Sequence, residues 1–439
     1  MTPPASPTPV TLDGLHALLA RLVKVEKTEI AALLYSFSYF FAILTAYYII
    51  RPLRDEMGVA LGQHGLTNTF TIVFFVMVAA VPVFGWIVSN VPRRLVIAVV
   101  YAFFALNLAL FWMVFKTWGI GPRQAGAFFV WASVFNLFLV SLFWSLMSEL
   151  WSSTQAKRLY GFIAAGGSTG ALVGPLVTRT LAPHVGTDNL LLVAAVFLLL
   201  AILVAAKLRH LLATGDTASS EHPTGRDILA GAIGVWKSPY LFRIALWVLL
   251  ANLVSTYFYL EQSRIVGEAI ADRAERVKLF STLDLTVNVL TIALQVLVTG
   301  RVMQRYGVAI AAAALPAAAC LGLVALSIAP GLAVGAGVMD LERAIAFALA
   351  SPALRVLWTV VDPEAKYKAQ SFVDTVVYRG GDAASGWMLA QLGSAGLGLA
   401  PPAIALLTLP LGIAWLALTF VLGRLLAERT ASAETRAPP

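Results

Sequence analysis

Long apolar runs recur along the chain, each near the ~20 residues that carry a helix across a bilayer. They lie near 29–50, 67–90, 94–116, 125–148, 159–181 and 188–208, and again near 240–262, 278–301, 306–328, 332–360, 367–395 and 401–427. The longest polar stretch, 209–238, centres on ATGDTASSEHPTGRD and divides the twelve predicted spans six and six. The pattern predicts an all-α polytopic membrane protein, because backbone groups inside a bilayer must be satisfied within their own helix. Five segments follow from it. They are an N-terminal segment 1–28, a six-helix bundle 29–208, a central loop 209–238, a second six-helix bundle 239–428 and a disordered tail 429–439.

Composition removes the rival classes. Of 439 residues, 59% are hydrophobic and 12% charged, and mean hydropathy is +0.82. A soluble globule could not hide so much apolar surface. A disordered chain needs low hydrophobicity and high charge. An outer-membrane barrel would alternate apolar and polar residues along each strand.

Net charge is +8, and its placement matters more than its sum. With the N-terminus inside, the inner connections hold Arg21, Lys24, Lys27, Arg93, Arg94, Lys157, Arg158, Lys207, Arg209, Arg301, Arg305, Lys366 and Lys368. The outer ones hold chiefly Lys116, Arg123, Arg273, Arg276 and Lys278. Basic residues concentrate on the cytoplasmic side, so both termini and the central loop are expected there, in a bacterial inner membrane. The Pro/Thr-rich residues 1–11 do not read as a signal peptide. Residues 12–26, LDGLHALLARLVKVE, read as an amphipathic helix on the membrane surface. No DNA-reading motif occurs, so nucleic acid is not an expected partner. The single cysteine, Cys320, forms no metal motif, and neither a metal nor another cofactor is expected.

The two halves repeat. TAYYIIRPLR (45–54) aligns with STYFYLEQSR (255–264), pairing Tyr47 with Tyr257, Arg51 with Glu261 and Arg54 with Arg264. GWIVSNVPRR from Gly85 aligns with GRVMQRYG from Gly300, AKRLYG from Ala156 with AKYKAQ from Ala365, and Gly166-Gly167 with Gly380-Gly381. Four matches in order, at offsets between 209 and 215, argue for a duplicated six-helix unit.

Ionisable residues inside spans cost about 2.5–3.5 kcal/mol on insertion scales and so attract functional interest. At the end of span one, YYIIRPLRDEMG places Arg51, Arg54, Asp55 and Glu56 directly after an apolar run. They either line a cavity or have left the membrane. Glu261 and Arg264 on span seven hold the repeat-related place, and the two segments are expected to converge on one central cavity, unless they form a structural pair. Glu149, Lys157 and Arg158 flank the inner end of span four, as a gate or as anchors. Asp374, Arg379 and Asp382 lie in span eleven beside Gly380-Gly381. Asp284, Asn288, Gln295, Asp340, Glu342, Arg343 and Arg355 complete a polar interior. GFIAAGGSTGALVGP (161–175) is a small-residue face suited to close helix packing. No catalytic triad, metal cluster or paired catalytic carboxylates emerges, so an enzyme is not expected.

The GRVMQRYG stretch resembles the inner-loop motif of the major facilitator superfamily, whose architecture is two six-helix repeats around a site near mid-bilayer. Within it, YYIIRPLRDEMGV, ELWSSTQAKRLYGFIAAGG, YLEQSR and PEAKYKAQSFVDTVVYR resemble, in order, segments of the ATP/ADP translocase family. Pro52 and Asp382 depart from that pattern, standing where the family has an acidic residue and near a family lysine. The resemblance implies a carrier exchanging adenine nucleotides, or another phosphorylated or anionic metabolite, by alternating access. Together with the charged and aromatic residues of the spans, it leads to the expectation that Arg51, Arg54, Tyr47, Tyr257, Glu261, Arg264 and Arg379 bind substrate, while Asp55, Glu149, Lys157, Arg158, Asp374 and Asp382 couple or gate. The expected partners are the lipid bilayer and a small anionic substrate, with the protein a monomer. A proton-coupled exporter of a small organic compound and a non-transporting accessory protein are the alternatives.

Overall fold

The computed structural model describes residues 25–212, 225–393 and 395–434. The amphipathic stretch expected at 12–26 falls almost wholly outside the described residues. All described secondary structure is helical. Eight helices are long and apolar enough to cross a membrane. Two of these, Lys27–Ile87 with 61 residues and Arg273–Ile328 with 56, are each long enough for two crossings. The first is broken at Gly62, whose φ of 66° and ψ of 176° favour glycine and separate span one from span two. The second is divided at Gly307, between the helices Gly300–Tyr306 and Val308–Ile328. Spans ten and eleven complete the twelve as Leu332–Leu357 and Pro363–Leu392.

Three five-residue stretches widen into π turns, at Gln295–Thr299, Ala346–Ala350 and Val373–Val377. All three lie in the second half, in spans eight, ten and eleven. Such turns free backbone groups and cluster at functional sites. Two of them bond to each other: the Thr299 hydroxyl donates to the Ala348 carbonyl at 2.8 Å, and the Gln295 amide to the Phe347 carbonyl at 3.3 Å.

Each half has its own apolar core. Tyr39, Phe128, Phe135, Phe143 and Leu198 anchor the first, and Trp358, Trp415, Leu323 and Ile244 the second. Span five, Ser153–Val185, seats its small-residue face directly on span one. A Cβ added at Gly170 would stand 2.6 Å from the Phe41 carbonyl oxygen, and one at Gly174 2.6 Å from the Tyr48 Cβ. Only glycine permits that approach.

Three sequence expectations change. The run 51–61 stays helical although Pro52 cannot donate to the carbonyl of Tyr48. Burial of the flanking apolar residues Ile49, Ile50, Leu53 and Met57 holds it there. The central connection is not all loop: Gly225–Lys237 forms a helix, and Gly231 packs on the backbone of Lys368. The last helix, Pro401–Glu434, runs past 429, since Arg, Ala and Glu are good helix formers and Arg429 stacks 4.4 Å over the Tyr240 ring.

Candidate functional site

A cavity of 510 Å³ lies between the halves. Span one presents Tyr47, Tyr48, Arg51 and Arg54 to it, residues spaced to share one helical face. Span seven presents Asn252, Ser255, Thr256 and Tyr259; span ten Glu342 and Arg343; span eleven Tyr378, Arg379 and Asp382. Four arginines and two acids thus line one space. A larger groove of 1200 Å³ runs along spans two to four, but its wall is apolar apart from Thr69 and Arg123, so the charged cavity is the candidate site.

The arginines differ in how fully they are spent. Arg54 donates to Asp55 Oδ1 through Nη2 at 2.7 Å and Nε at 3.1 Å. The same oxygen accepts the Tyr259 hydroxyl of the other half at 3.1 Å. Arg343 Nη2 donates to Asp284 Oδ1 at 2.6 Å. Arg379 Nη1 reaches Asp382 Oδ2 at 3.3 Å, and Thr256 donates to its Oδ1 at 3.4 Å. Arg51 is the exception. Its nearest acids, Asp55 at 3.9 Å and Asp284 at 3.7 Å, are beyond hydrogen-bond distance, and its buried Nε has no acceptor. Its guanidinium is thus in ion-pair range of both acids without a hydrogen bond to either. Rings hold the guanidinium planes in place, with Arg51 over Tyr48, Arg54 over Phe129 and Arg379 over Tyr378 at 4.9–5.7 Å.

The structure does not bring all the sequence candidates together. Arg51, Arg54, Tyr47, Arg379 and Asp382 meet at the cavity, with Asp55 behind the arginines. Tyr257, Glu261 and Arg264 instead line a separate pocket of 260 Å³ with Gln63 and Pro401. There Arg264 makes a two-pronged pair with Glu261, at 2.6 and 3.0 Å. The expected convergence of the two repeated segments is therefore corrected. Residues 257 and 259 differ by about 200° around a helix, and it is Tyr259 that faces the cavity. Glu149 pairs with Arg209 at 3.1 Å, and Arg158 with Glu29 at 2.5 Å, both within the first half and away from the cavity. The Lys157 side chain lies outside the described residues. Asp374 is half-exposed, 3.9 Å from Arg355. Glu342, Arg343 and Asp284 were visible in the sequence only as intramembrane charges, and Tyr259 gave no signal of its own.

Beyond the cavity, away from the N-terminal end of span one, charges tie the halves together. Glu56, 1% exposed, accepts from Arg273 at 2.9 Å and Arg276 at 3.1 Å. Arg273 also donates to Asp188 at 2.9 Å. On the N-terminal side, the pairs Arg158–Glu29, Arg209–Glu149 and Arg355–Asp374 each join residues of one half. Glu56 and Asp188 therefore latch the two halves by charge at this face.

Comparison with known proteins fits this geometry. The Major Facilitator Superfamily matches residues 29–386. The chain belongs to that superfamily. No curated protein matches the sequence. A solved bacterial homolog of the human lysosomal transporter Spinster, inward-facing and unoccupied, is similar at TM-score 0.57 and 12% identity, over 92% of this chain and 97% of that one. A mutant of the nucleoside transporter NupG is similar at TM-score 0.63 and 14% identity, over 89% and 99%. At these identities the likeness is one of fold. The fold is that of a multi-pass secondary transporter.

Proposed function

We propose that the protein carries a small anionic metabolite, a nucleotide or another phosphorylated compound, by alternating access through the arginine-lined cavity. The observation that carries this reading is Arg51, a cavity-lining guanidinium in ion-pair range of Asp284 and Asp55 but with no hydrogen bond to either. A planar fork of donors matches carboxylate or phosphate oxygens in pairs. Tyr47, Tyr48 and Tyr259 offer faces on which a base or sugar can rest. The resemblance to the ATP/ADP translocases points the same way, since its first-helix motif falls on Arg51 and Arg54. The charge latch lies on the far side from the N-terminal face, which is taken as cytoplasmic in a bacterial inner membrane.

The test is a thermal-shift panel of nucleotides, sugar phosphates and inorganic phosphate on purified protein. A ligand at a hundred times its Kd stabilises the folded state by about 2.7 kcal/mol. Uptake of the radiolabelled hit into proteoliposomes, abolished in Arg51→Ala, supports the reading. No stabilisation and no uptake by any phosphorylated compound removes it.

A further inference from the structure

The 1200 Å³ groove along spans two to four has no part in the charged cavity. Span three is Arg93–Trp118 and span four Pro122–Leu150. Along span two the groove runs from Gly65 to Trp86, about 32 Å at the rise of an α-helix. That matches the ~30 Å hydrocarbon thickness of a bilayer. The groove opens sideways: Ile72 and Trp86 on span two and Val99 and Phe103 on span three are all exposed. Thr69 donates its hydroxyl to the Gly65 carbonyl of its own helix at 2.7 Å. Water finds no partners on such walls, so within a membrane the groove takes up hydrocarbon.

One end of the groove is different. Arg123, in the first turn of span four, is the one charged side chain among the described residues that lines it. Lys116, Arg273, Arg276 and Lys278 at the same face of the molecule each lie 2.9–3.8 Å from an acid. Arg123 has no ion pair or side-chain hydrogen bond with a described residue. The first turn of span four carries no acid either. A headgroup amine would find no carboxylate there, whereas a guanidinium meets phosphate oxygens in pairs.

The groove also backs onto the charged cavity. Phe70 and Phe129, whose rings meet at 5.9 Å, line the cavity. Their neighbours in sequence, Thr69 and Val130, line the groove. Spans two and four thus form a partition between the two spaces, and a chain lying in the groove supports it from behind.

We propose that the groove is a binding site for one anionic phospholipid, with its phosphate on Arg123 and its acyl chains along spans two to four. The lipid comes from the leaflet at the latched face and fills the half of the groove next to Arg123. The headgroup supplies the charge and the chains supply the apolar contact, so neither suffices alone.

Native mass spectrometry of the purified full chain tests this. The protein is stripped of lipid and titrated with phosphatidylglycerol or phosphatidylcholine of identical chains, with no transported solute present, so the result is independent of the reading of the cavity. One arginine near a membrane surface favours anionic lipid by about fivefold, and the first phosphatidylglycerol should bind tighter by that factor. Arg123→Gln should make the two lipids equal, and Arg123→Lys should keep the preference. Ala127→Trp, which fills the groove one turn from Arg123, should abolish the preference as well. Both positions are exposed, so the fold should survive either change; Ala127→Leu replaces the tryptophan if the thermal midpoint falls. Glycerol phosphate, a headgroup without chains, should not displace the lipid. Equal binding of the two lipids by the unaltered chain indicates an ordinary lipid annulus and overturns the site. So does a preference that survives Arg123→Gln or the filled groove, displacement by glycerol phosphate, or a dimer lost in Ala127→Trp, which would seat a second copy of the chain there.

Discussion

The Tyr259 hydroxyl, on span seven, donates to Asp55 on span one at 3.1 Å, on the same oxygen that holds Arg54. One carboxylate therefore positions a cavity arginine and bridges the two halves at once. Rocking the halves apart at this level must break the tyrosine bond while leaving Arg54 held. Tyr259→Phe should leave the fold intact and raise the share of molecules open at the latched face. In a Cys320→Ser background, spin labels at Arg123 and Lys278 should show a larger population at the longer distance in Tyr259→Phe.

Glu56 gives the larger effect. It is buried and faces two arginines of the other half. Removing one partner of a buried ionic cluster costs about 3–5 kcal/mol, and that cost falls on the latched state alone. Glu56→Gln should lengthen the distance between spin labels at Arg123 and Lys278, which sit on opposite halves of that face. An unchanged distance distribution would sink the latch.

Arg51→Lys should fail almost as badly as Arg51→Ala. Lysine keeps the charge but not the planar fork. A charge-assisted hydrogen bond is worth about 1.5–3 kcal/mol, so affinity for the transported anion should drop roughly 10- to 150-fold. Isothermal calorimetry on the hit from the ligand panel reads this directly.

Glu261 and Arg264 should behave as structural residues. Their pocket is separate from the cavity. Glu261→Gln should lower the thermal midpoint and leave ligand affinity within about twofold, a change of ~0.4 kcal/mol. A tenfold loss of affinity with an unchanged midpoint would restore them to the binding machinery.

Gly170→Val tests the seat of span five on span one. Its side chain would meet the Phe41 carbonyl and Thr45. Overpacking of this kind costs about 1–3 kcal/mol, so the midpoint should fall, whereas Gly161→Ala, which meets nothing nearby, should not lower it in this way.

The sequence made the twelve spans legible because each is an apolar run of nearly bilayer length. Arg51 and Arg54 were legible for a related reason: charges abutting such a run without a polar spacer stand out. The helical phase of the second half was not. Aligning Tyr47 with Tyr257 respects residue types, yet the face of span seven that meets the cavity is set by packing, and Tyr259 occupies it. The continuation of the helix through Pro52 was hidden too, since a proline in isolation argues for a break and only the burial of Ile49, Ile50 and Leu53 overrides it. Asp340 and Asp284 were visible as charges, but which acid lacked a partner depended on where Arg343 pointed.

The widened turns carry a genealogical consequence. Each holds one residue more than a regular helical turn, and all three described lie in the second half. If the halves descend from one ancestral unit, the second has diverged by single-residue insertions in the spans that bear Asp284, Asp340 and Asp382. The two copies are then no longer interchangeable: a protein assembled from the first half twice would inherit the arginines of span one in duplicate, and none of the acids Asp284, Asp340 and Asp382.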